Sequence, residues 1–177
     1  KYFFSCTNDT LENIIVISSF SKIYSIPGYR LGFAISEPHV IEKLSLSNSS
    51  LVSCHSIFSQ KGVEEIILDD KKYITNINNK LRQLSILVEN ILKSSTTLKN
   101  QFVRPDSGYY IFINIGKSKL KSLEFCNKML SEQLVACTPG ISFGKDFDNY
   151  IRISICGNQE DLLEGVKKIV SFFDTAK

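Results

Sequence analysis

The chain has 177 residues, of which 43% are hydrophobic and 22% are charged, with a formal net charge of +3 at pH 7. This length suits one ordinary domain or one and a half small ones, and the hydrophobic share is enough for a sizeable core. The charge is too small to indicate nucleic-acid binding, and no stretch combines a dense basic run with interleaved aromatic residues.

The sequence predicts a cytoplasmic protein without a membrane segment or a metal site. No window approaches the length of a transmembrane helix, and residues 1–4 lack the continuing apolar region of a signal peptide. The cysteines are odd in number and show no C-x-x-C spacing, so we expect reduced thiols. They are Cys6, Cys54, Cys126, Cys137 and Cys156. With only His39 and His55 beside them, we expect no zinc site.

The first predicted elements are two apolar strands with a polar turn between them. Residues 14–17 form a short, β-branched run that is typical of a strand buried on both faces, after a loop with a short strand at 2–4. A second strand is predicted over residues 31–35. The polar residues between the two strands should lie at the edge of a sheet, where α/β proteins bind ligands.

Three helices are predicted next. The first starts at residues 36–38 and runs to about Leu46, and the Ser- and Asn-rich residues 47–53 are predicted to be a linker. A second helix starts at about His55. The strongest helical signal covers residues 71–94, where apolar residues recur at steps of three and four and form one stripe.

The rest of the chain alternates strands and helices. The predicted elements are strands over 109–115, 134–137 and 150–155, and helices over 121–133 and 158–173. Asn158 is the candidate N-cap of the last helix. The polar, turn-rich residues 95–108 predict the main domain boundary near residue 96, which divides the chain into 1–95 and 96–177.

Four side chains in the first polar turn match the chemistry of one small ligand. A lysine at the mouth of an apolar sheet, such as Lys22, is partly desolvated, and its neutral amine can form a Schiff base with an aldehyde. Ser19 and Ser21 can donate hydrogen bonds to a dianion, and Arg30 can bind a phosphate through two parallel N–H groups. An aldehyde and a phosphate on one molecule describe pyridoxal phosphate. The alternative is a solvated loop lysine and a surface salt-bridge arginine.

Residues 19–32 read S-x-S-K-x-Y-x-x-P-G-x-R-x-G, which resembles the lysine signature of fold-type I, class I/II aminotransferases. The resemblance implies that Lys22 binds pyridoxal phosphate covalently as a Schiff base. It further implies that Ser19 and Arg30 bind the phosphate, with Ser21 as an additional candidate. The residue pattern is most similar to that of the histidinol-phosphate aminotransferase and threonine-phosphate decarboxylase branch. A tyrosine directly before the arginine, however, is more typical of aspartate and aromatic aminotransferases.

Arg152 is a second candidate site residue. Strand alternation places it on the face opposite to Ile151 and Ile153, and a guanidinium on a strand suited to burial needs a partner. That partner is either a nearby Asp or Glu, or the carboxylate of a substrate bound by two hydrogen bonds. The resemblance favours the substrate α-carboxylate, because the family's arginine follows a Pro-Gly-x-x-Phe-Gly segment, which stands here at residues 139–144.

The resemblance also implies the fold and the reaction. We expect an α/β chain that holds the last strands of a large-domain sheet, a long connecting helix and a small C-terminal α/β domain. The enzyme would move an amino group between an amino acid, or an amino-acid phosphate, and a 2-keto acid, as a homodimer in amino-acid biosynthesis. In the family, an aspartate pairs with the pyridine nitrogen of the cofactor. We find no counterpart of this aspartate in the sequence, so we expect this chain alone to be inactive. The alternatives are a threonine-phosphate-type decarboxylase and a non-catalytic remnant that serves as an interaction module.

Overall fold

The computed structural model describes residues 11–68 and 70–175. The chain divides into two compact units, the first ending at Asn76 and the second beginning at Ile77. The strand predicted at residues 2–4 lies outside the described residues, as does most of the loop predicted with it. The division into functional parts at residues 95 and 96 stays a prediction.

The first unit consists of a two-stranded ribbon and helices. Its elements are β1 (Val16–Ser19), α1 (Phe20–Ile23), β2 (Gly32–Ile35), α2 (Pro38–Val52), α3 (Ile57–Leu68) and the beginning of α4 (Asp70–Ser94). A 3₁₀ turn at Pro27–Tyr29 lies between α1 and β2. The three helices confirm those predicted near residues 38, 55 and 71, because each carries apolar residues at helical spacing.

The first strand differs from its prediction in position and in burial. Asn13 has a left-handed backbone, with φ at 61°, and the Ile14 N–H donates to the Leu11 carbonyl, so Ile14 belongs to a turn. β1 pairs antiparallel with β2, and no other described strand joins this ribbon. Ile15 and Ile17 are 52% and 76% exposed, so the expected burial on both faces is wrong for the described chain.

The predicted linker at residues 47–53 is mostly helical, because α2 continues to Val52. Serine weakens helices by drawing hydrogen bonds away from the backbone ladder. In α2 the Ser49 and Ser50 hydroxyls instead donate back to the Leu46 carbonyl, at 2.8 and 3.3 Å. These bonds remain within one turn of the helix, so the serines do not interrupt it.

The second unit is an antiparallel sheet with helices packed on it. Its elements are β3 (Phe102–Val103), β4 (Tyr110–Asn114), α5 (Ser122–Gln133), β5 (Thr138–Pro139), β6 (Tyr150–Ser154) and α6 (Gln159–Thr175). The strand order is β3-β4-β6-β5, and every neighbouring pair is antiparallel. The predicted mixture of helices and strands is therefore confirmed, and the sheet is antiparallel throughout.

The core of the second unit is built from the inward face of the two central strands and from three helices. Its fully buried members include Ile111, Ile113, Ile151, Phe125, Met129, Val88, Leu92, Val166 and Ile169. Burying one such side chain contributes about 2 kcal/mol. This core confirms the predicted alternation of β6, in which Ile151 and Ile153 are buried while Arg152 lies on the other face.

One predicted strand of this unit is wrong. Residues 134–137 do not pair in the sheet, and the two-residue β5 follows them. Leu134 ends α5 in a left-handed conformation, with φ at 56°, and its side chain is 83% exposed. The predicted cap of the last helix is confirmed, because the Asn158 side-chain oxygen accepts hydrogen bonds from the N–H groups of Glu160 and Asp161.

Two further observations concern the described part of the chain. None of its helices combines the length and the apolar composition needed to cross a lipid bilayer. Within the same residues, no three His, Cys, Asp or Glu side chains lie together in a way that could hold a metal ion.

Candidate functional site

The end of the β1–β2 ribbon carries the first candidate site. Ser19, the last residue of β1, pairs with Gly32, the first residue of β2, so the whole intervening turn projects from one end of the ribbon. The Ser19 Oγ accepts a hydrogen bond from the Ser21 N–H at 3.1 Å and thereby caps α1. The same hydroxyl donates to the Leu31 carbonyl at 3.3 Å, so it must rotate before it can donate to an anion.

Lys22 lies on α1, three residues after Ser19, and is exposed. No hydrogen bond or ion pair joins its ammonium group to another described residue, so its Nζ is accessible to a ligand. The partial desolvation expected from the sequence is absent from the described chain, because the ribbon has two strands and leaves this turn open to solvent.

Arg30 lies at the other side of the same turn, directly after the 3₁₀ segment. Its backbone is left-handed, with φ at 55° and ψ at 40°, which is uncommon for a residue with a side chain. One of its five N–H groups donates to the Pro27 carbonyl at 3.0 Å, and the residue is exposed. The remaining N–H groups of the guanidinium can therefore bind an anion.

An aromatic cluster packs against this turn and against α1. The Tyr24 ring, 7% exposed, lies 6.1 Å from the Phe20 ring and 6.5 Å from the Tyr73 ring. Phe20 also packs against Phe33 of β2 at 5.2 Å. The Tyr73 hydroxyl donates to the Tyr24 carbonyl at 3.0 Å. These contacts hold α1 in place, so the positions of Ser19 and Lys22 depend on packing that the spacing of polar residues did not reveal.

The donor set of this turn fits pyridoxal phosphate. Two hydroxyls, on Ser19 and Ser21, and the Arg30 guanidinium are suited to a phosphate, and the Lys22 amine is suited to an aldehyde. All four side chains belong to one turn at one end of one ribbon. The assignment of these residues to the cofactor stays a prediction.

The second candidate site surrounds Arg152, which lies in the middle of β6 between β4 and β5. Its Nη2 donates to the Thr138 Oγ1 at 3.3 Å. The guanidinium carbon lies 4.1 Å from the centre of the Tyr110 ring and 4.9 Å from that of Phe143. The two rings attract the cation and restrict its orientation without neutralising its charge.

Arg152 has no acidic partner within the part of the chain that the structure describes. The described ion pairs involve other residues, so the alternative of a structural salt bridge at Arg152 finds no support. Its face of the sheet is instead aromatic, with Phe112 stacked on Tyr150 at 5.0 Å and edge-on to Phe143 at 5.8 Å. A half-buried guanidinium in such surroundings favours a bound anion as its counter-ion.

Sequence reasoning missed Tyr110 and Thr138 as neighbours of Arg152. Tyr110 shares the face of Phe112 by strand alternation, which is visible in the sequence. The pairing of Thr138 with Arg152 depends on the register between β5 and β6, which the sequence does not state.

Gly140 allows the segment that carries Phe143 to approach β6 closely. A Cβ at this position would collide with the Phe147 carbonyl oxygen and would lie 2.5 Å from that of Tyr150. Both obstacles are backbone atoms and cannot rotate away. We therefore expect Gly140→Ala to lower the free energy of unfolding by about 3 kcal/mol, measured from urea denaturation midpoints.

Gly165→Ala is the matched control for this prediction. Gly165 lies within α6, and an added Cβ would meet only the Val135 side chain, at an ordinary 3.8 Å. Because alanine favours helices over glycine, this variant should be as stable as the parent or more stable, by up to about 1 kcal/mol. Equal unfolding midpoints for the two variants would contradict the predicted clash at Gly140.

Comparisons with known proteins agree on one family. The family model "Aminotransferase class I and II" matches residues 6–169. The (5-formylfuran-3-yl)methyl phosphate transaminase of Methanocaldococcus jannaschii is 33% identical over 168 residues, covering 94% of this chain and 44% of that protein. The aspartate aminotransferase of Thermococcus kodakarensis is 33% identical over 156 residues, covering 87% of this chain and 40% of that protein.

The same likeness holds for solved structures. The aromatic aminotransferase of Pyrococcus horikoshii superposes with a TM-score of 0.87 at 27% identity, covering 98% of this chain and 46% of that one. The chain thus spans less than half the length of the relatives described here.

Proposed function

This chain belongs to the class I and II aminotransferase family, and from that premise we propose that it supplies the cofactor-binding lysine and the substrate-binding arginine of an aminotransferase. The observation that carries the proposal is Arg152, which is half-buried among aromatic rings and has no described acidic partner. An amino-acid carboxylate would supply the missing negative charge through two parallel hydrogen bonds.

The first unit supports the cofactor half of the proposal. Lys22 would bind pyridoxal phosphate covalently through its Nζ, and Arg30, Ser19 and Ser21 would bind the phosphate. When bound, pyridoxal phosphate supplies an electron sink that makes the α-proton of an amino acid acidic. Released from that bond, the Lys22 amine would remove the α-proton and deliver it again, as a general base and then as a general acid.

The substrates would be an amino acid and a 2-keto acid. The relatives named aspartate aminotransferases support an acidic amino acid, with Arg152 on a carboxylate. The pattern of residues 19–32 supports the finer assignment to the histidinol-phosphate and threonine-phosphate branch, which would act on an amino-acid phosphate. Decarboxylation on the same scaffold remains the second candidate, and product analysis for carbon dioxide against keto acid separates the two. We further propose a cytoplasmic homodimer.

The proposal is tested by reducing the complete protein that contains this chain with borohydride in the presence of pyridoxal phosphate. Mass spectrometry of the tryptic peptides should then find the cofactor attached at Lys22. Inorganic phosphate should compete with this labelling, because Arg30 and the serines would bind it in place of the cofactor phosphate. Attachment spread over several exposed lysines, with Lys22 unmodified, would reject Lys22 as the cofactor-binding residue.

A further inference from the structure

Two thiols lie side by side in the second unit, outside both candidate sites. Cys126 is on α5, and Cys137 follows the end of that helix and directly precedes β5. Their Sγ atoms are 3.4 Å apart, with the Cys137 thiol donating to the Cys126 sulfur. Cys126 is 7% exposed, whereas Cys137 is half-buried, so the pair lies at the edge of the core.

The other described cysteines differ from this pair. Cys54 and Cys156 are exposed, and no described thiol lies beside either of them. The hydrogen bond from Cys137 stabilises the Cys126 thiolate and lowers the pKa of Cys126, while it raises the pKa of Cys137. The 3.4 Å separation places each thiol where it can react with the other. The lowered pKa of Cys126 favours Cys126 as the thiol that reacts first.

We propose that Cys126 and Cys137 form a modification site that hydrogen peroxide converts to an intramolecular disulfide. The Cys126 thiolate attacks one peroxide oxygen, the O–O bond breaks, and hydroxide leaves, which gives a sulfenic acid. The Cys137 sulfur then attacks the Cys126 sulfur, the S–S bond forms, and the S–O bond breaks. The hydroxide from the first step takes up the proton that Cys126 lost, and the hydroxide from the second step takes up the Cys137 proton. Two thiols and one peroxide thus become one disulfide and two waters.

The disulfide has a structural consequence at Arg152. The two sulfurs of a disulfide are about 2.0 Å apart, so the Sγ atoms must approach each other by roughly 1.4 Å from their present separation of 3.4 Å. Cys137 is bonded to Thr138, whose Oγ1 accepts the hydrogen bond from Arg152. Because β5 has only two residues, little pairing resists this movement. Oxidation is thus expected to shift Thr138 and to weaken its hydrogen bond with the Arg152 guanidinium. The effect of this change on ligand binding rests on the proposed carboxylate role of Arg152.

The tryptic map of the protein separates the two cysteines. Cleavage after Lys121, Lys128 and Lys145 places Cys126 in peptide 122–128 and Cys137 in peptide 129–145. After treatment of the intact protein with hydrogen peroxide and alkylation of free thiols, we expect these two peptides to be joined, and the link to disappear with reductant. Cys156→Ser should leave the link unchanged, and Cys137→Ser should remove it and leave oxidised Cys126.

Other products of the peroxide treatment would contradict the proposed modification site. Peroxide treatment that leaves both thiols open to alkylation, or that joins Cys126 or Cys137 to Cys54 or Cys156, excludes it. Because Cys137 is half-buried, the Cys137→Ser variant should fold, and its unfolding midpoint checks this.

The second measurement is the Kd for maleate, a dicarboxylate, in reduced and oxidised protein. We expect about a tenfold weaker Kd after oxidation of the parent and no change in Cys137→Ser, from the lost hydrogen bond to a charged group. Equal affinities of the reduced and oxidised parent would overturn the link to Arg152. If neither form binds maleate, the carboxylate role of Arg152 fails, and the peptide map alone still decides whether the disulfide forms.

Discussion

Replacing Lys22 by alanine in the complete protein is expected to lower steady-state transamination by at least about 10⁴-fold, since in the proposed mechanism one amine would provide both the covalent bond to the cofactor and the proton transfer. Lys22 is the only lysine between Ser19 and Gly32, so no second amine in that turn can take over either task. The assay is the formation of 2-keto acid from amino acid at saturating pyridoxal phosphate. A small primary amine such as methylamine should restore part of the activity of Lys22→Ala.

Lys43→Ala is the matched control. Lys43 is also an exposed lysine of the first unit, on α2, and no described ion pair involves it. Its replacement should change turnover by less than about twofold, as expected for a surface substitution. Turnover of Lys22→Ala within tenfold of the parent would show that another group moves the proton.

Replacing Arg152 by alanine is expected to lower kcat/KM for an acidic amino acid by about 100-fold, from the loss of about 3 kcal/mol of charge-assisted hydrogen bonding. The Kd for maleate should rise by a similar factor. Arg152→Lys should remain well below the parent, because an ammonium group cannot form the same pair of parallel bonds. The structure also predicts a small effect on folding, because the variant leaves no described carboxylate unpaired, and its unfolding midpoint should stay near that of the parent.

Arg82→Ala is the control for the loss of a positive charge. Arg82 is an exposed residue of α4 without a described ion pair, in the same unit as Arg152. Both variants remove one guanidinium, so a general effect of charge should weaken maleate binding equally in the two. A large loss of stability in Arg152→Ala, with maleate affinity unchanged, would instead assign Arg152 a structural role.

The spacing of apolar residues correctly predicted the helices and strands that bury one apolar face. The stripe over residues 71–94 became α4, and the alternation in β6 correctly separated Arg152 from Ile151. The same reasoning failed for β1, where an apolar run suggested burial but Ile17 is exposed. An apolar composition states what a strand could bury, whereas actual burial depends on neighbours that the pattern does not contain.

The candidate sites were likewise predictable from the sequence only in part. The residue types and spacing of Ser19, Lys22 and Arg30 were visible in one short segment. The surroundings of Arg152 were not, because Tyr110 and Thr138 reach it from two other strands. Contacts of that kind follow from strand order and register, which are properties of the folded chain.

The left-handed backbone at Arg30 bears on the stability of this protein. An arginine pays about 1 kcal/mol for this conformation, and glycine would relax it. The arginine at this position therefore costs stability that glycine would restore, and in return it places a guanidinium at the end of the ribbon.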